Sequence, residues 1–214
     1  MIEWFGANAD RIAVYFGQHV VLSVLPLVIG LALAIPLGWL ARRSRRLYPP
    51  MIGATGLLYT IPSLALFIAF PAVLGTQILD PVNVVAALTL YTVALLVRTV
   101  ADGLRAVPAE VLQAATAMGY GPLRRLAQVE LPVAVPVIGA GMRVAAVSNV
   151  SLVSVAAVLG VDQLGKFFTE GFQLNYPMPI VVGIVLCVVL AVGLDALIVW
   201  LTKHLAPWRQ AVRS

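Results

Sequence analysis

The sequence predicts an all-α integral membrane protein with five transmembrane helices. Three observations predict it. Of 214 residues, 61% are hydrophobic and 11% are charged, against about 45–50% and 25% in soluble domains. The mean hydropathy is +0.99. The apolar residues fall in long runs separated by basic or proline- and glycine-rich breaks, and about 20 apolar residues cross a bilayer. Lipid then takes the place of a large buried core, and backbone groups must pair within their own helix. Residues 1–214 read as a single transmembrane domain.

The apolar runs lie at 19–40, 51–74, 82–104, 133–159 and 178–201. The fourth is long enough to tilt or bend. Residues 1–17 are too mixed to span. Their Trp4, Phe5, Tyr15 and Phe16 predict a short helix lying in the interface, where aromatic rings prefer to sit. Glu3 and Asp10 stand where a signal peptide would carry basic residues. The one cysteine, Cys187 in mid-span, excludes an intramolecular disulfide and reads as a small hydrophobe.

Orientation follows from the basic residues. Arg42, Arg43, Arg45 and Arg46 follow the first span, Arg105, Arg124 and Arg125 follow the third, and Lys203, Arg209 and Arg213 follow the fifth. Five spans put all three groups on one side. Arg11 and Lys166 are the cations of the other side, beside Glu3, Asp10, Asp80, Asp162 and Glu170. This predicts the N-terminus outside and the C-terminus in the cytoplasm. It also explains the net charge of +5 without nucleic acid as a partner. The Arg42–Arg46 cluster is topogenic and suited to lipid headgroups.

Soluble-type catalysis finds no constellation. His19 and His204 lie at opposite ends of the chain and read as interfacial histidines, so no metal cluster is expected. Gly160-Val161-Asp162-Gln163-Leu164-Gly165-Lys166 matches G-x-x-x-x-G-K, but Phe167 stands where a phosphate loop needs a Mg²⁺-ligating Ser or Thr. It reads as an external loop with a short helix or re-entrant turn.

Ionisable residues inside spans are costly and often functional. Arg98 and Asp102, four apart, suit a pair on one helix face. Arg143 and Asp195 have three uses open: pairing between helices, lining a polar cavity, or snorkelling. Tyr59-Thr60-Ile61-Pro62-Ser63 interrupts the second span. A mid-span proline frees backbone that neighbours or a cavity must satisfy, and broken helices near the midplane often build a transport path. Gly139, Gly141, Ala145, Ala146 and Ser148 suit close helix approach, including at a subunit interface. Ser148, Asn149, Ser151 and Ser154 give the fourth span a polar stripe. The pathway candidates are Tyr59, Pro62, Ser63, Asn149 and Ser151.

The segment 105–132 is long for a connector. It contains Gln113-Ala114-Ala115-x3-Gly119, then nine residues to Val129-x-Leu131-Pro132. Small residues at helical spacing, a glycine break and a Leu-Pro lead-in to the next span predict a helix–turn–helix at the membrane surface, able to dock a partner. This segment resembles the E-A-A-x3-G-x9-I-x-L-P loop of permease subunits of bacterial ATP-binding-cassette importers. Gln113 stands for the usual Glu and Val129 for Ile. The five-span topology is similar to that of the small type I importer permeases. Ile61-Pro62-Ser63-Leu64-Ala65-Leu66 resembles the I-P-S-L-A-L of permeases for glycine betaine, choline and carnitine. Ile35-Pro36-Leu37-Gly38 and the Gly160…Gly165 loop are also similar to that group.

The resemblance implies a multi-pass protein of the bacterial cytoplasmic membrane with three partners: a cytoplasmic ATPase, a second permease subunit (a copy or a related chain) and an extracytoplasmic solute-binding protein. This chain would bind no cofactor; ATP and Mg²⁺ would sit on the ATPase. Gln113, Ala114, Ala115, Gly119, Tyr120, Gly121, Arg124, Leu131 and Pro132 would form the ATPase-coupling loop, with the helix around 114–124 resting in a groove of the ATPase. Arg124 and Arg125 would meet acidic groups of the ATPase or lipid headgroups. A quaternary ammonium cannot donate hydrogen bonds, so aromatic faces are its expected contacts; Tyr59, Phe67, Phe70 and Tyr91 are the candidates. Alternative readings are a permease for methionine or another small amino acid and, more distantly, a stand-alone channel or scaffold.

Overall fold

The computed structural model describes residues 2–44 and 46–208. Arg45, Arg209 and Arg213, used in the orientation argument, lie outside the described residues. The helices are α1 (Ile2–Ala7), α2 (Ala9–Arg43), α3 (Tyr48–Thr60), α4 (Ser63–Leu74), α5 (Pro81–Arg105), α6 (Ala109–Ala117), α7 (Pro122–Arg125), α8 (Leu131–Val155), α9 (Lys166–Gln173) and α10 (Pro177–Leu205). A π-helical turn, Leu126–Glu130, leads into α8, and a 3₁₀ turn, Ala156–Leu159, follows it.

Local sequence explains where the long helices begin. Proline is pre-set for the first helical turn and has no N–H to leave unpaired. It occupies that position in α5, α7, α8 and α10. In α5 the preceding Asp80 adds a side-chain cap, accepting from the Val82 N–H at 2.9 Å.

Three long helices, α2, α5 and α10, are apolar enough to cross a bilayer, as is the run from α7 through the 3₁₀ turn. The second predicted span is instead two short helices, α3 and α4, bent by 103° at Pro62. The count is therefore four spans, or five with the bent pair. The segment 1–17, expected as one interfacial helix, is divided. Ile2–Ala7 forms α1, and Ala9 onward is continuous with α2. Nothing in 9–17 breaks the helix, so the chain does not turn there. Trp4 and Tyr15 pack on Phe167 with ring centroids at 5.8 and 5.3 Å.

Helix α5 is the centre of the bundle. It packs on α2, α3, α4 and α8, while α10 covers α8 and α9. Leu27, Leu96, Val97, Val100 and Ile138 form one apolar cluster, and Leu22, Phe67, Leu88 and Val153 another. The α2–α5 crossing is close because Gly30 and Gly38 face Thr92 and Val100. The small residues of α8 are used inside the chain as well: Gly139 lies against Thr202 of α10 and Gly141 against Thr99 of α5. At these two glycines the close helix packing is within the chain.

His19, expected at the interface, is fully buried. Its Nε2 lies 3.0 Å from the Val150 carbonyl and its Nδ1 3.1 Å from Gln163 Oε1. The position looked interfacial because it begins the apolar run. The ten helical residues before it carry α2 further, so His19 falls inside the bundle.

A Cβ on Gly38 would stand 2.7 Å from Val100 Cβ, whereas one on Gly53 would meet open space. Gly38→Leu is expected to destabilise the chain by about 1–3 kcal/mol through overpacking. Gly53→Leu is expected to be near neutral. Thermal melting in detergent measures both, and equal melting temperatures would refute the tight crossing.

Candidate functional site

The segment between α5 and α8 folds as a helix–turn–helix. After Ala117 the chain turns at Gly119, whose φ of +82° is open to glycine and strained for other residues. The residues 114–124 are therefore two helices with a turn between them, rather than one helix. Ala115 is buried, while Gln113, Ala114, Gly119, Gly121 and Arg124 are exposed. Met118 and Leu123 are exposed apolar side chains around the turn. Arg124 stacks over Tyr120 at 4.6 Å and donates to Gln128 Oε1 at 3.1 Å. Leu131 and Pro132 open α8.

Sequence reasoning missed what holds this segment in place. Glu130 is 1% exposed. Its Oε1 accepts from Arg125 Nε at 2.8 Å, and its Oε2 pairs with Arg42 at the end of α2. Arg125 also donates to Thr116 Oγ1 of α6 at 2.8 Å. One buried carboxylate, with Arg125, thus joins α6, α7 and the C-terminal end of α2. Arg125, expected to meet a partner's acidic groups, is committed internally. The signal was present as a lone acid just before an apolar run, in Val129-Glu130-Leu131-Pro132, with Arg125 five residues before it and Arg42 far away in sequence.

The break at Pro62 borders a cavity of about 370 Å³ lined by Tyr59, Ile61, Ser63, Tyr91, Ser148 and Ser151, among others. Ending α3 at Thr60 leaves the Ile61 carbonyl without a helical partner, and the Tyr91 hydroxyl donates to it. Tyr91 and Tyr59 meet edge to face with centroids at 5.5 Å. Tyr59 keeps 42% of its surface open. Of the pathway candidates, Tyr59, Ser63 and Ser151 line this cavity, and Pro62 makes the break. Asn149 does not line it. It is buried, donating to the Ser23 carbonyl of α2 and to Thr92 Oγ1 of α5, each at 3.2 Å. The stripe 148, 149, 151 wraps around the helix, so its members face different neighbours. Phe67 is likewise buried in the core.

The ionisable pairs in the spans are matched. Arg143 and Asp195 form a bidentate pair between α8 and α10 at 2.6 and 3.0 Å. Arg98 meets Asp102 at 3.7 Å, and Asp102 also accepts from the Tyr48 hydroxyl at 2.6 Å. The Gly160–Lys166 loop does not fit a phosphate. Gln163 Oε1 occupies the Gly165 N–H at 2.5 Å, Lys166 faces Asp162 at 3.6 Å, and Phe167 is buried. Short helix α9 follows, as expected. Among the described residues no group of His, Cys, Asp and Glu is arranged to hold a metal.

Residues 27–210 match the profile of the family described as binding-protein-dependent transport system inner membrane component. The chain belongs to this family. It is a membrane permease component of ATP-binding-cassette importers. Relatives extend over nearly its full length. The osmoprotectant import permease protein OsmW of Salmonella typhimurium is 34% identical, covering 96% of this chain and 97% of its own. The choline transport system permease protein OpuBB of Bacillus subtilis is 28% identical, covering 97% and 94%. The carnitine transport permease protein OpuCB of Listeria monocytogenes is also 28% identical, covering 100% and 96%. The fold is similar to a chain of the inward-facing MetNI methionine ABC transporter, with a TM-score of 0.84 and 18% identity, covering 94% of this chain and 98% of that one.

Removing one partner of a buried ion pair costs about 3–5 kcal/mol. Glu130→Ala leaves two arginines that keep some access to water, so a loss of about 3 kcal/mol is expected. Thermal melting in detergent checks it. A Glu130→Ala chain as stable as the parent would show that the carboxylate does not hold the segment.

Proposed function

We propose that this chain is the permease subunit of an ATP-driven importer for a quaternary-amine osmoprotectant such as glycine betaine, choline or carnitine. The observation that carries the reading is the aromatic pair at the helix break. The cavity there presents the open face of Tyr59 beside Tyr91 and the hydroxyls of Ser63, Ser148 and Ser151. An aromatic face attracts a desolvated cation that has no N–H to donate. The hydroxyls suit the carboxylate or hydroxyl end of such a solute. The relatives named for choline, carnitine and osmoprotectants support the same class.

In this reading a binding protein delivers the solute to the outer face, with the N-terminus outside and the C-terminus in the cytoplasm. Two permease subunits enclose the path. ATP and Mg²⁺ are held by a separate ATPase, which grips the exposed turn around Met118, Gly119 and Leu123. Movement of that turn reaches α2 through Arg125, Glu130 and Arg42. Gln113, exposed beside the turn, offers the ATPase an uncharged hydrogen-bonding contact.

The test is ATP-dependent uptake of labelled glycine betaine, choline and methionine into vesicles, with the ATPase and binding protein co-expressed. Amine uptake that methionine does not compete away is expected, and Tyr59→Ala is expected to raise its KM about tenfold. Methionine uptake with no amine uptake would overturn the solute class.

The coupling reading has its own test. A Cβ at Gly119 meets nothing within 4 Å, so a bulky side chain there projects toward a partner. Gly119→Trp is expected to insert normally, to co-purify less ATPase and to lose uptake. Normal uptake by this variant would overturn the coupling role.

A further inference from the structure

The last turn of α2 and the start of α7 enclose a second cavity, of about 300 Å³, whose walls are Trp39, Arg42, Arg43, Pro122, Arg125 and Glu130. Three guanidiniums and one carboxylate line it. Both oxygens of Glu130 are taken by Arg42 and Arg125, so the walls keep an excess of positive charge. Among the described residues, Arg43 pairs with no carboxylate; its guanidinium lies 5.5 Å from the Trp39 ring.

The helix face that carries Arg43 identifies the ligand. Leu33, Leu37 and Leu40 are exposed, and at spacings of four and three they form one stripe. Arg43 lies three residues beyond Leu40, beside the end of this stripe. A short stripe of exposed leucines therefore ends beside a cavity lined by arginines and Trp39. Tryptophan favours the headgroup level of a bilayer. Basic pockets on the cytoplasmic side recognise anionic headgroups, and the planar guanidinium matches a phosphate through paired hydrogen bonds.

We propose that this cavity binds the phosphate of an anionic phospholipid whose acyl chain lies along the Leu33–Leu37–Leu40 stripe. The bound headgroup touches α2 and α7 together, so it steadies the coupling segment against the first span. The inference does not depend on which solute is carried or on the ATPase contact.

Native mass spectrometry of the full chain, purified in detergent with phosphatidylglycerol or phosphatidylcholine, tests it. The chain is expected to retain phosphatidylglycerol in preference to phosphatidylcholine. Arg43→Gln is expected to weaken that retention about fivefold, Arg43→Lys to keep most of it, and Lys203→Gln, at the end of α10, to leave it unchanged. Arg43 ends its helix and is exposed, so these variants are expected to fold, and an unchanged melting temperature in phosphatidylcholine checks that. Equal retention of the two lipids, or full retention by Arg43→Gln, would overturn the site. Inorganic phosphate displacing the lipid at equal concentration would leave a phosphate site and overturn the lipid as its occupant. Arg43→Gln that keeps the lipid but loses co-purifying ATPase would assign the arginine to a protein contact instead.

Discussion

Inside a bilayer there is no water to satisfy a polar group, and the cost of leaving one unpaired is several kcal/mol. The architecture depends on this constraint. Helices satisfy their own backbone, which is why the described residues in the apolar runs are helical except at the Ile61–Pro62 break. Departures from a helix, and most polar side chains turned inward, are matched by a neighbour; the buried hydroxyls of Ser23 and Thr89 are the exceptions among the described residues. The Pro62 break exists because the Tyr91 hydroxyl takes the Ile61 carbonyl. Asn149 is tolerated in the core because it bonds to both α2 and α5. Arg143 and Asp195 face each other across α8 and α10.

The same constraint acts at both ends of α2. Near its start His19 and Gln163 tie α2 to the loop before α9. At its C-terminal end Glu130 ties the α6–α7 segment to α2. Both ties converge on α2, the helix that also packs most closely on the central α5. The α6–α7 turn is thereby joined to a long helix rather than to a loop. The tyrosine-lined cavity sits beside α5, the other member of that crossing, since Tyr91 belongs to it.

Much of the site was legible because its signals are local. The turn at Gly119, the Leu131-Pro132 start of α8 and the interruption at Pro62 each follow from the conformational limits of glycine or proline. Tyr59, Ser63 and Ser151 could be named because they flank the break or lie on the polar stripe. What failed depended on helix rotation and distant partners. Asn149 and Ser151 are two residues apart and face different surroundings. Glu130 and Arg42 are 88 residues apart, and nothing in their local sequence announces the pair.

The sequence by itself determined the membrane class, the approximate spans and the surface helix–turn–helix, since hydropathy and backbone chemistry act over a few residues. Its Gln113–Pro132 pattern also pointed to the permease family. Only the tertiary structure decided that the second span bends by 103°, that residues from Ala9 extend α2 outward, and which polar residues face a cavity and which hold the core. Those outcomes depend on which helix faces meet, and the facing residues are brought together only when the bundle is packed.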